Sequence, residues 1–257
     1  MNQIITLLSD WRLRDPYVAM LKGELLKTLP DAQIVDITHY VDKFDLLQTA
    51  LLLKNSYSSF PEGTIHLILT NMSLNSNFSP VLLNANGHHF IGEDNGVFYL
   101  MFGQEFALKG LQLSDNKGNT LSQIQQLISL AAKGQLNSPH TQEYLQFKRM
   151  LTLQLDHTPE NQQIEGQIVY IDAFNNAVTD IPSKLFEEVV GNRPFTATIQ
   201  SKGVWKIARH YNNYNVSDGE MYLCNNALGF IEVTVFQSDV AVLADLEPGD
   251  KVFIQYE

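Results

Sequence analysis

Two carboxylates near the start of the chain occupy positions where a ligand could bind. Asp10 closely follows the apolar run Ile4–Leu8, which has the composition of a buried strand. Asp15 precedes Pro16, a spacing typical of an N-cap followed by a proline in the first turn of a helix. Because ligands of open α/β sheets bind at the carboxyl ends of strands, Asp10 could hold the two hydroxyls of a ribose. The alternative interpretation is that Asp10 only caps a turn.

A second group of residues that could bind a ligand follows a predicted strand in the last third of the chain. Asp172, Phe174 and Asn176 place an acid, an aromatic ring and an amide close together. An aromatic ring can stack on a nucleobase, and an Asn amide can both donate to and accept from an adenine edge. Taken alone, the pattern favours an ordinary turn with an Asn in the left-handed conformation.

The segments around Asp10 alternate between strand and helix. Apolar runs at 4–8, 33–38 and 64–70 predict strands, and helical spacing before Pro30 and over 45–57 predicts the helices between them. This order predicts an α/β domain with a mostly parallel sheet, and Asn86-Gly87 predicts a hairpin after it. From Ile164 onward, short alternating strands predict a smaller antiparallel β-barrel. We therefore place one domain at 1–160 and the other at 164–257.

The composition narrows the class of protein. The chain has 257 residues, a net charge of −11 and no basic run, so no nucleic acid is expected as a partner. Its one cysteine, Cys224, excludes a disulfide within the chain and gives no support to a catalytic thiol. No signal peptide and no stretch long enough to span a bilayer is found, so we expect a cytoplasmic protein without a membrane partner.

Other common catalytic and metal-binding motifs are absent from the sequence. It contains neither a Gly-rich phosphate loop nor G-x-S-x-G. His88 and His89 are adjacent, so on a strand they would point to opposite faces and could not jointly hold a metal ion. We expect no metal site. His39 follows the second predicted strand, and a half-buried structural role is favoured over a catalytic one.

Several motifs occur along nearly the whole chain in the order found in one protein family. Residues 9–23 read S-D-W-R-L-R-D-P-Y-V-A-M-L-K-G, against the family pattern T-D-F-G-x-x-D-x-Y-V-x-x-x-K-G. The other matches are D-I-T-H at 36–39, F-P-E-G-T-I-H at 60–66, D-N-G at 94–96, D-A-F-N-N-A-V-T-D-I at 172–181 and N-A-L-G-F-I-E at 226–232. The chain therefore resembles the S-adenosylmethionine hydroxide adenosyltransferases and the related fluorinases and chlorinases.

The resemblance implies a fold, an assembly and a site. It implies an N-terminal α/β domain and a C-terminal β-barrel in a homotrimer, with ligand between the first domain of one subunit and the second domain of its neighbour. Asp10 would hold the ribose hydroxyls, and Asp15 would lie near the methionine end. Phe174 and Asn176 would hold adenine, and Asp172 would support the amino group of methionine. In this family water or halide attacks the ribose 5′ carbon of S-adenosylmethionine and methionine leaves.

The departures from the family pattern fall where the nucleophile would be held. Hydrolytic members carry D-P-G-V-G-T-x-R after the third strand, but here the acid is Asn71 and the arginine is Phe78. An ungapped count places Asn119 at the position of the family's histidine. Two second-domain positions also differ, at Asp180 and Ala227. We expect the nucleoside pocket to be kept better than the nucleophile pocket, with Asn71 as the remaining candidate catalytic residue.

The sequence thus predicts a protein that binds S-adenosylmethionine or adenosine. Hydrolysis of S-adenosylmethionine to adenosine and methionine is the default reaction, at a low rate because the Asp-Arg-His set is absent. The alternative is a non-catalytic binding or regulatory protein on the same trimeric fold, and a trimeric scaffold without a ligand is a third interpretation. S-adenosylmethionine is expected as substrate or ligand, with no cofactor. Whether the protein is an enzyme stays open.

Overall fold

The computed structural model describes residues 2–103, 105–115, 117–150, 155–200, 203–207 and 219–257. Contacts between residues divide the chain into two compact units, Met1–Leu151 and Thr152–Glu257. Across the described ranges, none of the helices combines the length and the apolar character needed to cross a membrane.

The first unit is built on a seven-stranded sheet with strand order β2-β1-β3-β5-β4-β6-β7. Its strands are β1 (Ile4–Leu8), β2 (Gln33–Thr38), β3 (Ile65–Ile68), β4 (Val81–Ala85), β5 (His88–Gly92), β6 (Gly110–Leu113) and β7 (Thr141–Tyr144). Its helices are α1 (Tyr17–Thr28), α2 (Leu46–Lys54), α3 (Val97–Phe102) and α4 (Thr120–Ala132).

The sheet of the first unit is mixed, so the prediction of a mostly parallel sheet is not confirmed. Strand β1 pairs in parallel with β2 and β3, and β3 pairs in parallel with β5. The β4–β5, β4–β6 and β6–β7 pairings are antiparallel. The reason is the predicted hairpin, whose turn residues Asn86 and Gly87 have φ values of 50° and 80°. Strand β5 of this hairpin pairs with the parallel strand β3, and the four-residue strands β6 and β7 continue the sheet from β4.

Alternation along β1 directs side chains to both faces of this sheet. Ile5 and Leu7 pack in one cluster with Leu21 and Leu25 of α1, together with residues of α4. Leu8 packs in a second cluster with residues of α2 and α3. Helices therefore cover both faces, which leaves the ends of the strands as the place where polar groups can gather.

The ends of the first two helices differ slightly from the prediction. Helix α1 begins at Tyr17 with Pro16 at the N-cap and without a side-chain cap hydrogen bond, so Asp15 is not its N-cap. Helix α2 is capped by Asp45, whose carboxylate accepts from the backbone N–H of Gln48 at 2.9 Å. It ends at Lys54 rather than at Tyr57, which begins a separate 3-10 turn.

The second unit is an antiparallel sheet with strand order β12-β11-β15-β9-β10-β14-β13, and β8 pairs with β9. The strands are β8 (Asp156–Thr158), β9 (Gln163–Ile171), β10 (Ala177–Pro182), β11 (Phe195–Gln200), β12 (Val204–Ile207), β13 (Met221–Asn225), β14 (Phe230–Val235) and β15 (Lys251–Tyr256). Two short helices, α5 (Ser183–Val189) and α6 (Val240–Ala244), accompany them.

This second sheet curls around its own apolar core. The edge strands β12 and β13 lie in contact, although no ladder joins them in the part of the chain that the structure describes. The antiparallel character is confirmed, and the described strands form a curled sheet rather than a closed barrel. Its core contains alternate side chains of the central strands, among them Ile168, Ala177, Val233 and Ile254.

Candidate functional site

Asp10 lies at the carboxyl end of β1, between the ends of two parallel neighbours. Its Oδ2 accepts hydrogen bonds from the backbone N–H of Phe44 at 3.1 Å and of Asn71 at 3.2 Å. Phe44 follows β2 and Asn71 follows β3, so one carboxylate oxygen joins the loops after both neighbouring strands. Within the described residues Oδ1 accepts no hydrogen bond, and the side chain is half-buried. This oxygen can therefore accept a ligand hydroxyl.

The backbone around this carboxylate is strained. Both donors to Asp10 have left-handed backbones, with φ of 65° at Phe44 and 57° at Asn71, and Arg12 has φ of 63°. A residue with a side chain pays about 1–2 kcal/mol for this conformation. Such strain persists only where surrounding contacts over-determine the backbone, and it clusters at binding sites. The geometry thus marks the surroundings of Asp10 as a candidate site.

Arg12 connects the turn after β1 to the loop after β2. Its backbone N–H donates to the carbonyl of His39 at 2.8 Å. Its guanidinium donates to the carbonyl of Tyr40 at 2.9 Å and to Oδ1 of Asp42 at 3.1 Å. The family pattern has glycine at this position, and the positive φ explains why glycine suits it. Here the arginine's contacts offset the backbone strain.

His39 is buried, and its two ring nitrogens have different partners. Nδ1 lies 2.7 Å from the hydroxyl of Ser9, and Nε2 lies 3.2 Å from Oδ1 of Asp36. The Ser9 oxygen also accepts the backbone N–H of Trp11 at 3.3 Å. His39 is buried more fully than the half-buried setting that the sequence predicted, and its structural role stays a prediction.

Lys22 completes this network from helix α1. Its Nζ lies 2.6 Å from Oδ2 of Asp36. Burial acts to raise the pKa of Asp36, but Lys22 and His39 outweigh it, so the pKa is lowered. Lys22 of the K-G motif therefore acts together with Asp36 and His39 of the D-I-T-H motif to hold the turn that carries Asp10.

Asp15, expected near the methionine end, and the residues expected near the nucleophile lie at the surface. The side chains of Asp15 and Asn71 are exposed, and Phe78 is 48% exposed. The loop after β3 is anchored instead by buried Thr120, whose Oγ1 lies 3.0 Å from the carbonyls of Ser76 and Phe78. The neighbouring Asn119 caps α4 by accepting the backbone N–H of Ser122 at 3.0 Å. Asn119 therefore has a structural task at the position expected for the histidine.

A groove of about 770 Å³ lies between helix α1 and the loop after β3. It is chiefly lined by Trp11, Tyr17, Met20, Met72, Leu74 and Leu121. Trp11 and Met72 are the neighbours of Asp10 and Asn71 in the chain, so the groove adjoins the same strand ends. Sequence reasoning missed this groove, because helical spacing alone does not tell which side of α1 lacks a partner.

In the second unit, Asp172 organises the turn between β9 and β10. Its Oδ1 accepts the backbone N–H of Phe174 and of Asn176, each at 2.8 Å. Asn175 is left-handed, with φ of 59°. This is the turn that the sequence favoured. It also leaves the ring of Phe174 78% exposed, so an aromatic face is available for stacking.

The amide of Asn176 is held by side chains of β14. The hydroxyl of Thr234 donates to its Oδ1 at 2.8 Å, and its Nδ2 donates to Oε1 of Glu232 at 3.2 Å. Nδ2 also lies 3.5 Å from Oδ2 of Asp172, and the thiol of Cys224 donates to Oε1 of Glu232 at 3.3 Å. Among the described residues, both N–H groups of the amide therefore face acceptors, while Oδ1 keeps one lone pair that can accept from a ligand.

Burial and charge raise the pKa values of three groups around Asn176. Burial raises the pKa of Tyr170 to about 12, helped by the charges of Asp172 and Glu232. Burial also raises the pKa of Cys224, with Glu232 adding to the effect, so the thiol stays protonated and acts as a donor. The pKa of Glu232 itself is raised, mainly by burial. A thiol that stays protonated is a poor nucleophile, and the sequence gave no support to a catalytic thiol either.

The sequence did not identify the roles of Glu232 and Thr234. Both lie on β14, where residues two apart point to the same face, and Glu232 closes the last matched motif. The alternation along 230–235 indicated that Glu232 and Thr234 share a face. It could not indicate their partner, because Asn176 lies 56 and 58 residues away in the chain. As for metals, the described ranges contain no group of three His, Cys, Asp or Glu side chains that could hold an ion.

Similarity to known proteins extends over most of each of the two units. The family model for the SAM hydroxide adenosyltransferase N-terminal domain matches residues 5–139, and that for the C-terminal domain matches residues 166–253. The chain is 23% identical over 267 aligned residues to the (R)-S-adenosyl-L-methionine hydrolase of Methanocaldococcus jannaschii, covering 98% of this chain and 96% of that protein.

Two further similarities concern part of the sequence and the fold. The chain is 37% identical over 67 residues to a fluorinase of Nocardia brasiliensis, which is 26% of this chain and 22% of that protein. A crystal structure of an uncharacterized conserved protein from Thermotoga maritima matches with a TM-score of 0.83 and 20% identity, covering 98% of this chain and all of that one. This structural likeness concerns the fold alone.

Proposed function

Since the chain belongs to the SAM hydroxide adenosyltransferase family, we propose that it binds S-adenosylmethionine and adenosine. Asp10 binds the ribose hydroxyls, and Asp15 lies near the methionine end. The turn 172–176 supplies Phe174 and Asn176 for adenine and Asp172 for the amino group of methionine. The observation that carries the proposal is the carboxylate of Asp10, which has one oxygen held by two backbone N–H groups and the other without a hydrogen bond from any described residue.

The two groups of residues come together between subunits of a homotrimer in this proposal. Asp10 of one subunit then faces Phe174 of its neighbour. The exposed aromatic rings support it, because Phe44 beside Asp10 is 67% exposed and Phe174 is 78% exposed. Light scattering at micromolar concentration is expected to give the mass of a trimer, and a monomer would contradict the shared site. A cytoplasmic location, without nucleic acid or membrane as partner, completes the proposal.

Hydrolysis is the default reaction. The oxygen of water forms a bond to the ribose 5′ carbon while the carbon–sulfur bond breaks, and methionine leaves with that electron pair. The attacking water gives up a proton, so the products are adenosine and methionine. The protein's task is to position and partly desolvate the water.

The residues that would position this water are poorly suited to it. Asn71 can accept a hydrogen bond from water but carries no charge, and Phe78 offers no polar side-chain contact. Asn119 already caps α4. Losing groups that act as a unit typically lowers rates by several powers of ten. We therefore propose slow hydrolysis or none, and these same contacts favour non-catalytic binding as the second candidate function.

A binding titration tests the proposed binding of the nucleosides, and a time course tests the proposed slow hydrolysis. Calorimetry with adenosine and with S-adenosylmethionine is expected to show binding of each. Release of adenosine and methionine at neutral pH is then followed beside the Methanocaldococcus jannaschii hydrolase, and at least about a hundredfold slower turnover is expected. Absence of binding would overturn the proposed function. Turnover within about tenfold of the relative would show that other groups, such as Asp15, His39 or Ser73, position the water.

A further inference from the structure

Glu232 requires one orientation of the Asn176 amide. Nδ2 of Asn176 donates to Oε1 of Glu232 at 3.2 Å, while Oδ1 accepts from Thr234 at 2.8 Å. An ionised carboxylate can only accept hydrogen bonds, so the amide must present its NH₂ end to Glu232. The Thr234 hydroxyl can donate or accept. It fits either orientation of the amide and decides neither.

Two further groups support the same orientation. The thiol of Cys224 donates to Oε1 of Glu232 at 3.3 Å and so helps to hold the carboxylate in place. Oδ2 of Asp172 lies 3.5 Å from Nδ2 of Asn176, and it too can only accept while ionised. The NH₂ end of the amide therefore faces acceptors on both sides, with Glu232 the nearer.

A fixed amide distinguishes purines by the group at position 6. The lone pair that Oδ1 keeps beside the Thr234 hydroxyl can accept from the 6-amino group of adenine, whereas both N–H groups of the amide already face Glu232 and Asp172. A 6-keto purine places an acceptor where adenine has its donor, so the carbonyl of the fixed amide would face another acceptor. If the amide could turn over, its NH₂ end would meet the keto oxygen instead.

We propose that Glu232 is a specificity-determining residue that makes the site select a 6-amino purine nucleoside over a 6-keto one. This inference rests on the proposed function, in which Asn176 meets the purine. Glu232 acts through Asn176 and is a positioning residue, since it sets which end of the amide meets position 6 of the base.

The test compares adenosine and inosine as ligands of three proteins. Calorimetry of the full chain measures both affinities in the wild type, in Glu232→Gln and in Glu188→Gln, which removes an exposed acid of α5. A glutamine can present either end of its own amide, so it permits both orientations of Asn176. Glu232→Gln is expected to lower the ratio of adenosine to inosine affinity by about tenfold, the worth of one hydrogen bond in discrimination. Glu188→Gln is expected to keep the wild-type ratio.

Thr234→Val provides a second variant that removes the hydroxyl and keeps the carboxylate. Its affinity for both nucleosides can fall, but its preference for adenosine is expected to remain. An unchanged ratio in Glu232→Gln, a lost ratio in Thr234→Val, or a wild type that binds both nucleosides equally would each overturn the inference and leave the proposed function standing. A wild type that binds neither nucleoside would overturn the proposed function, and the inference with it.

Discussion

The hydroxyl of Ser9 lies 2.7 Å from Nδ1 of His39, and both side chains are buried. Ser9 directly follows β1 and precedes Asp10, whereas His39 directly follows β2. The contact therefore ties the turn that carries the candidate ligand carboxylate to the neighbouring strand.

Replacing Ser9 with alanine tests this contact. The change leaves Nδ1 of buried His39 without its hydrogen-bond partner, and an unsatisfied buried polar atom costs about 1–3 kcal/mol. Urea denaturation of Ser9→Ala is expected to show a loss of that size in the free energy of unfolding. Ser73→Ala, at an exposed position, is the control and should leave stability unchanged within about 0.5 kcal/mol. Equal stabilities of the two variants would contradict the role of the contact.

Replacing Asp10 tests the candidate binding site itself. Hydrogen bonds to a charged group are worth about 1.5–3 kcal/mol each. Asp10→Ala is therefore expected to weaken the binding of adenosine or S-adenosylmethionine at least about tenfold. Calorimetry is run well below the melting temperature of the variant, because Asp10 also holds two loops. Asp31→Asn, an exposed acid, is the control. Equal affinities in Asp10→Ala and the wild type would refute the role of Asp10.

The buried histidines predict a loss of stability in acid. Nδ1 of His66 lies 2.7 Å from the hydroxyl of Thr6, and its Nε2 lies 3.1 Å from Nδ1 of His88. Burial, with smaller contributions from His88 and His89, lowers the pKa of His66 from 6.5 to about 3. The unfolded chain therefore binds this proton first. Stability from His66 is fully present above its unfolded pKa and falls as the pH drops from there toward the folded pKa.

The measurement is the free energy of unfolding at pH 7 and pH 5. One such histidine accounts for a loss of about 2 kcal/mol over this interval. The loss in His66→Gln is expected to be smaller than in the wild type by about that amount. His140→Gln, at an exposed position, should lose as much as the wild type. A pH dependence in His66→Gln identical to that of the wild type would show that His66 does not exclude the proton.

Asn119 is expected to contribute to stability rather than to catalysis. Its carboxamide caps helix α4 through the backbone N–H of Ser122, and replacing an Asn cap by alanine costs about 1 kcal/mol. Thermal melting of Asn119→Ala should show this loss while the affinity for adenosine stays unchanged. Asn137→Ala, outside the helix and exposed, serves as the control. A variant that melts like the wild type but loses nucleoside binding would reverse this assignment.

Much of the local structure follows from the sequence alone. The apolar run of β1, the stop of α1 before Pro30, a helix in the stretch that begins at Asp45 and the Asn86-Gly87 turn were all predicted and are found. His88 and His89 also point to opposite faces, because His88 is buried against His66 while His89 contacts Asn84 at 2.5 Å. These features depend on side-chain periodicity, capping and turn chemistry, which act over a few residues. The family motifs extend this reading to the class of protein, because several of them occur in order.

Only the tertiary structure decided how these local elements combine. It made the first sheet mixed, because the hairpin of β4 and β5 pairs with β3 at one edge and with β6 at the other. It placed the N–H groups of Phe44 and Asn71, 34 and 61 residues from Asp10, on one carboxylate oxygen. It also brought Glu232 to the amide of Asn176, 56 residues away. Such contacts depend on which strand ends meet when the cores pack, and residue spacing along a single sequence does not contain that information.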